Sequence, residues 1–137
     1  MGNEDSIKKE VLRVAMIGFG NRAEEHLDAL EHAGTAINIC VLCDTDAAAR
    51  KRAGRRLPGV NSGHDLATLL KEAPCDIVVV CLPPSVDLKP IGAAIAGVSG
   101  VKAVLVEKPA ANSAAEAEKA LGDLPVPVFL FHQMRFL

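Results

Sequence analysis

The run Val14-Ala15-Met16-Ile17-Gly18-Phe19-Gly20-Asn21-Arg22-Ala23 decides the fold. Four apolar residues stop at a glycine turn, and a helical pattern follows. An apolar strand feeding G-x-G-x-x-(G/A) and a helix presents bare backbone N–H groups to a pyrophosphate. Gly18 permits the tight turn. Gly20 lacks a Cβ, so phosphates can approach the backbone. Ala23 takes the third position, where a small residue lets the helix pack close to the strand. A glycine turn between strand and helix also occurs as mere connection, so the motif draws its weight from its surroundings.

Upstream, residues 11–17 read as the first strand, with no polar face after Arg13. Strands that are apolar on both faces belong to a sheet covered on both sides. Downstream, residues 22–33 read as a helix in which Ala23, Leu27 and Leu30 recur at helical spacing and Gly34 marks the end. Residues 36–43 form the second strand, and Asp44 stands just past it. Residues 46–54 read as an Ala-rich helix ending in Gly54, with Arg50, Lys51 and Arg52 exposed. Pro58-Gly59 breaks the chain before a short strand near Val60. A helix over 64–72 turns Leu66, Leu69 and Leu70 inward and stops at Pro74. Asp76 to Leu82 is the clearest strand, β-branched and bounded by prolines. A helix over 87–97 and a strand over 101–106 follow. Ser113-Ala114-Ala115-Glu116 reads as a capping box opening a helix to Leu121, and residues 126–131 form the last strand. Alternating elements with short connections predict an α/β fold: a doubly wound parallel six-stranded sheet of order 3-2-1-4-5-6, in one domain over 1–137.

Composition narrows the function. The chain has 137 residues, 50% hydrophobic and 23% charged, enough for one globular core. A formal net charge of −2, with four Phe and no Tyr or Trp, gives no basis for binding nucleic acid or an anionic membrane. No run reaches the roughly 18 apolar residues of a membrane span. The segment Met1 to Glu10 is polar and mixed in charge, unlike a signal peptide, so a cytoplasmic protein is expected. Cys40 and Cys43 form a C-x-x-C within an apolar strand, where residues three apart point to opposite faces and cannot converge on a metal. With Cys75 and Cys81 they read as buried, reduced, structural thiols, and no metal is expected.

A doubly wound sheet binds its ligand at the carboxyl ends of its strands, and the special residues sit there. Gly18 and Gly20 follow the first strand, Asp44 the second, Pro83 and Pro84 the fourth, and Glu107, Lys108 and Pro109 the fifth. A carboxylate at Asp44 can accept from ribose hydroxyls and would repel a 2′-phosphate, which favours NAD over NADP. The alternative is a turn or cap residue, and its place directly after the second strand favours the ribose role. Arg50, Lys51, Arg52, Arg55 and Arg56 could neutralise a 2′-phosphate, and they also read as a solvated face near a helix C-terminus, the preferred reading. Lys108 can donate to a substrate hydroxyl or carbonyl, or it can be a loop lysine paired with Glu107.

These residues resemble a known family. Gly18-Phe19-Gly20-Asn21-Arg22-Ala23 with His26 and Leu27, Asp44, Asp76 to Pro84, and Val104-Leu105-Val106-Glu107-Lys108-Pro109 look like the Gfo/Idh/MocA oxidoreductases, named for glucose–fructose oxidoreductase and inositol dehydrogenase. Gln133-Met134-Arg135-Phe136 looks like the Arg-containing segment where that family's chain leaves the nucleotide domain. The resemblance implies NAD(P)-dependent hydride transfer at a sugar, cyclitol or related carbinol. It implies that Gly18, Phe19, Gly20, Asn21 and Arg22 line the pyrophosphate and that Asp44 holds the adenosine ribose. Leu82, Pro83 and Pro84 would flank the nicotinamide, and Glu107 would contact the cofactor ribose. Lys108 would be catalytic, beside the nicotinamide and touching the reacting hydroxyl, with a cis Lys108–Pro109 bond, which X–Pro linkages allow. Two departures stand out. Ser85-Val86-Asp87 occupies the stretch where family members often carry a His. Family enzymes also continue into a second α/β domain that supplies the substrate pocket and dimer face. The expectation is therefore a dinucleotide-binding domain, incomplete for catalysis alone, which meets a small-molecule substrate only with a second domain or partner chain. The alternatives are a free-standing non-catalytic binding module and a degenerate domain that binds no nucleotide. An edge left open could promote self-association.

Overall fold

The computed structural model describes residues 10–34 and 36–131. The sequence element Gln133–Phe136 lies outside them. Strand β1 (Leu12–Ile17) leads through the glycine turn into helix α1 (Asn21–Ala33), and β2 (Ile37–Cys43), α2 (Ala47–Arg56) and β3 (Asn61–Gly63) complete the first half. Helix α3 (Leu66–Glu72) crosses to β4 (Ile77–Val80), followed by α4 (Lys89–Ala96), β5 (Ala103–Glu107), α5 (Ala114–Leu121) and β6 (Val128–Phe131). The order is β3-β2-β1-β4-β5-β6, with every neighbouring pair parallel. This is the doubly wound sheet that the strand–helix alternation predicts.

Alternation along the strands sorts the core into two layers. Ala15, Ile17, Val78, Val80, Val104 and Val106 pack with Leu69 and Leu70 of α3, Ile91 and Ile95 of α4 and Leu121 of α5. Met16 and Leu42 point the other way, onto Phe19 and onto Ala23, Leu27, Ala49 and Ala53 of α1 and α2. Val78 and Val104 are 0% exposed, and burying such a side chain contributes roughly 1.5–3 kcal/mol. The strands need no polar face because helices cover both sides of the sheet.

One expectation about β2 fails for a local reason. Val14 pairs with Ile39, but Ala15 pairs with Val41, so Cys40 is an extra residue in a parallel bulge. The bulge breaks the two-residue period. Cys40 and Cys43 both lie on the α3 side, not on opposite faces. Cys40 Sγ sits 3.2 Å from Cys75 Sγ and 3.7 Å from the Val14 carbonyl oxygen. The four cysteines are free thiols, with Cys43 and Cys75 buried and Cys40 and Cys81 half-buried.

Several helix ends also differ from expectation: α4 spans Lys89–Ala96 rather than 87–97, and two other ends differ for a visible reason. Helix α2 runs past Gly54 to Arg56. Arg56 Nη2 bonds Asp28 Oδ1 at 2.8 Å and Glu31 Oε1 at 3.3 Å on α1, which offsets the roughly 1 kcal/mol that an internal glycine costs. The chain turns instead at Gly59, where φ is 83°. Helix α3 begins at Leu66 rather than His64, because the Asp65 side chain caps it by accepting from Thr68 N. Among the described residues no helix is long and apolar enough to cross a membrane.

The amino end of the sheet is tied by Asp76. Its Oδ2 accepts from Arg13 N at 2.9 Å and its Oδ1 from Arg13 Nη2 at 3.2 Å, with Lys102 Nζ 3.8 Å from Oδ1. The Arg13 guanidinium and amide hold the Asp76 carboxyl down at about 2. A carboxyl depressed on folding contributes stability that is complete above its unfolded value of about 3.9 and is lost as pH falls toward 2. Urea midpoints of the native chain should therefore drop between about pH 4 and pH 2, and Asp76→Asn should flatten that part of the profile. An equal drop in the variant would remove Asp76 as the cause.

Candidate dinucleotide site

Because the strands are parallel, their carboxyl ends share one edge of the sheet. There β1 passes into Gly18 at φ 86°. The Gly18 N–H donates to the Cys43 carbonyl at 2.8 Å, which ties the turn to the end of β2. A Cβ on Gly18 would collide with the Cys81 carbonyl and with Leu82, so the turn is wedged against the exit of β4. Gly20 differs: a Cβ there would have no protein atom within 4 Å. It faces open space and forms the N-cap of α1 without any side-chain acceptor. The first N–H groups of the helix, on Asn21, Arg22 and Ala23, thus lack a capping side chain and carry the positive end of the helix dipole. A bare glycine in front of uncapped helix donors fits a pyrophosphate.

Asp44 closes this cradle. Its Oδ2 accepts the Phe19 N–H at 2.8 Å and its Oδ1 accepts the Asp46 N–H at 2.8 Å. The acid after β2 and the turn after β1 therefore meet at the carboxyl edge of the sheet. The capping of α2 belongs to Asp46, which accepts from Ala48 N at 3.0 Å. Each Asp44 oxygen keeps acceptor capacity for a hydroxyl, since a carboxylate oxygen has two lone-pair sites. Phe19 contributes only its main chain. Its ring is 1% exposed, in the core with Met16 and Leu42.

Within the basic group Arg50 is half-buried and Arg52 is exposed, and both bond to backbone. Arg50 Nη1 donates to the Asp44 carbonyl at 2.8 Å and to the Thr45 carbonyl at 3.2 Å, and Arg52 Nη2 donates to the Phe19 carbonyl at 3.1 Å. Both guanidinium groups brace the loops around Asp44. Lys51 and Arg55 are exposed, and Arg56 faces α1.

Leu82, Pro83 and Pro84 form the exit of β4, where the Pro83 carbonyl accepts from Val86 N at 3.1 Å. A cavity of about 340 Å³ lies beside them, lined by Pro84, Asp87, Asn112 and Lys119 among others. Burial, with the Glu107 charge nearby, pushes the Cys81 thiol up to about 12, so it stays protonated at neutral pH.

Glu107 and Lys108 part company. Glu107 is 5% exposed and turns under α1. Its Oε1 lies 3.1 Å from His26 Nε2 and 3.6 Å from Arg22 Nε, and its Oε2 accepts the Lys108 N–H at 3.1 Å. Lys108 is exposed and its bond to Pro109 is cis. Among the described residues no carboxylate pairs with Lys108 Nζ, because Glu107 is engaged by α1 instead. Arg22 turns its side chain toward Glu107, at 3.6 Å, and pairs with Glu25 at 2.6 Å. The contact that the reading from spacing missed is His26 on Glu107. Its sequence signals are its place one helical turn after Arg22 and its presence in the stretch that carries the family resemblance.

A glycine turn before an uncapped helix, with an acid bonded to that turn, defines a dinucleotide-binding Rossmann domain. Residues 12–123 match the GFO_IDH_MocA model, an oxidoreductase family with an NAD-binding Rossmann fold, and the chain belongs to that family. Among curated proteins no sequence matches it. Solved structures do. The WlbA dehydrogenase of Chromobacterium violaceum, in complex with NADH and UDP-GlcNAcA, is 27% identical with a TM-score of 0.76, over 94% of this chain and 37% of that one. The scyllo-inositol dehydrogenase of Lactobacillus casei, with NAD(H) and scyllo-inositol, is 19% identical with a TM-score of 0.75, over 93% and 38%. The transcriptional regulator Gal80p of Kluyveromyces lactis is 15% identical with a TM-score of 0.77, over 93% and 35%. The chain thus spans little more than a third of each.

The two glycines should separate on mutation. Gly20→Ala should leave the urea midpoint unchanged and weaken NADH binding, because the added methyl enters only the ligand's space. Gly18→Ala should cost at least ~1–2 kcal/mol of stability from its left-handed φ alone. Equal stability losses in the two variants would contradict this division.

Proposed function

We propose that this chain is the cofactor half of an NAD-dependent oxidoreductase acting on a sugar, cyclitol or related carbinol. The observation that carries the reading is the 2.8 Å bond from Phe19 N–H to Asp44, which joins the glycine turn after β1 to the acid after β2. Backbone of Gly18 to Arg22 takes the phosphates, and Asp44 takes the adenosine ribose and disfavours a 2′-phosphate. Leu82, Pro83 and Pro84 border the nicotinamide. A nicotinamide bound there supplies the centre that exchanges a hydride. Lys108, exposed at the end of β5, donates to the substrate oxygen as an ammonium, or accepts the hydroxyl proton as an amine while carbinol becomes carbonyl. Glu107 orders the approach to the ribose. Substrate enclosure and exclusion of water call for further chain or a partner, since one nucleotide domain offers half a cleft. The same reading places the protein in the cytoplasm and allows association through β6, where Phe129 and Leu130 are 53% and 45% exposed.

The likeness to a protein described as a transcriptional regulator supports a second reading, a binding module without turnover. Lys108→Ala in a longer parent discriminates. It should abolish turnover and leave NADH affinity mostly intact; a fully active variant removes Lys108 from the mechanism. Titration of the chain with NADH should give a saturable fluorescence change, tighter than with NADPH. Asp44→Ser should narrow that gap, and an unchanged ratio would reduce Asp44 to a turn residue.

A further inference from the structure

His26 is half-buried on α1, and its ring stacks on Phe131 of β6, with centroids 4.7 Å apart and planes at 32°. That contact leaves Nε2 facing Glu107 Oε1 at 3.1 Å. Glu107 is a nearly buried acid at the end of β5, and such a group must be held by donors or it becomes costly. Arg22 is a looser partner. Its Nε is 3.6 Å away, its side chain is half exposed, and its Nη1 is committed to Glu25. His26 is therefore the close donor to Oε1. The opposite oxygen, Oε2, holds the backbone N–H of Lys108. One chain of bonds runs from α1, whose first turn faces the pyrophosphate cradle, through His26 and Glu107 to the backbone of Lys108.

We propose that His26 is a positioning residue. It fixes the Glu107 carboxylate under α1 and, through it, sets the Lys108 backbone relative to the glycine turn. The proposal rests on the reading of this edge as the dinucleotide site. It makes His26 a link between cofactor binding at β1 and the exposed lysine at β5, two strand ends separated by β4.

Two variants divide positioning from packing. His26→Leu keeps an apolar contact for Phe131 but has no donor. His26→Gln keeps a donor at similar reach. NADH affinity should fall about tenfold in His26→Leu, the scale of one lost hydrogen bond to a charged group, and His26→Gln should recover most of it. Glu107→Gln should also weaken binding, and the double variant with His26→Leu should lose little more than either single change, as expected of coupled partners. Hydrogen exchange at the Lys108 amide should speed up in His26→Leu and not in His26→Gln. If His26→Leu binds NADH like the native chain and its Lys108 amide exchanges no faster, the positioning role is overturned. If both variants lose affinity equally, His26 acts by packing and the proposal is likewise overturned. A native chain without saturable NADH binding overturns the reading of the site itself, a result distinguishable from a native chain that binds while His26 proves dispensable.

Discussion

The carboxyl edge of this domain depends on a turn that has no room for a side chain. At Gly18 the chain leaves β1 in a left-handed conformation and passes within contact of the Cys81 carbonyl. That closeness lets the turn bond at once to β2, through the Cys43 carbonyl, and lie against β4. The two strand ends that flank β1 are thereby clamped around the start of α1. The N–H of Phe19 then meets Asp44, and the helix donors behind Gly20 look outward with nothing in front of them. A larger residue at Gly18 would push β1 and β4 apart at the point where the strand order reverses, which is where a doubly wound sheet takes its ligand.

Much of this was legible in the residues. Ile77 to Val80 had to be a central strand, since four β-branched residues between an acid and a proline pair have no polar face to show solvent. Glycine chemistry located the turn, and the alternation of elements then left few topologies open. What stayed hidden were features set by partners distant in sequence. Helix α2 outran Gly54 because Arg56 reaches α1, a tertiary contact that no local rule contains. The bulge at Cys40 left no glycine or proline to betray it.

The site followed the same division. Asp44 could be placed by its position after an apolar strand, and so could the turn it meets. The fate of Glu107 could not. Adjacent charges in a sequence invite pairing with each other, yet a strand end sends consecutive side chains to different sides. Glu107 went under the helix, to His26 and Arg22, and Lys108 went outward. The bonds from Arg50 and Arg52 to backbone carbonyls were hidden, because such acceptors carry no signature in the sequence.

The single bulged residue in β2 sets which side of the sheet each later residue of the strand faces. Ile39 faces α1, and if Cys40 were paired with Ala15 in a regular ladder the next positions would exchange sides, carrying Leu42 out of one layer and Val41 out of the other. Asp44 follows the same parity. The half-step at one thiol near the middle of the strand thus aims a carboxylate four residues later, and a ladder that ran through that thiol without the bulge would present the acid to the other side of the sheet.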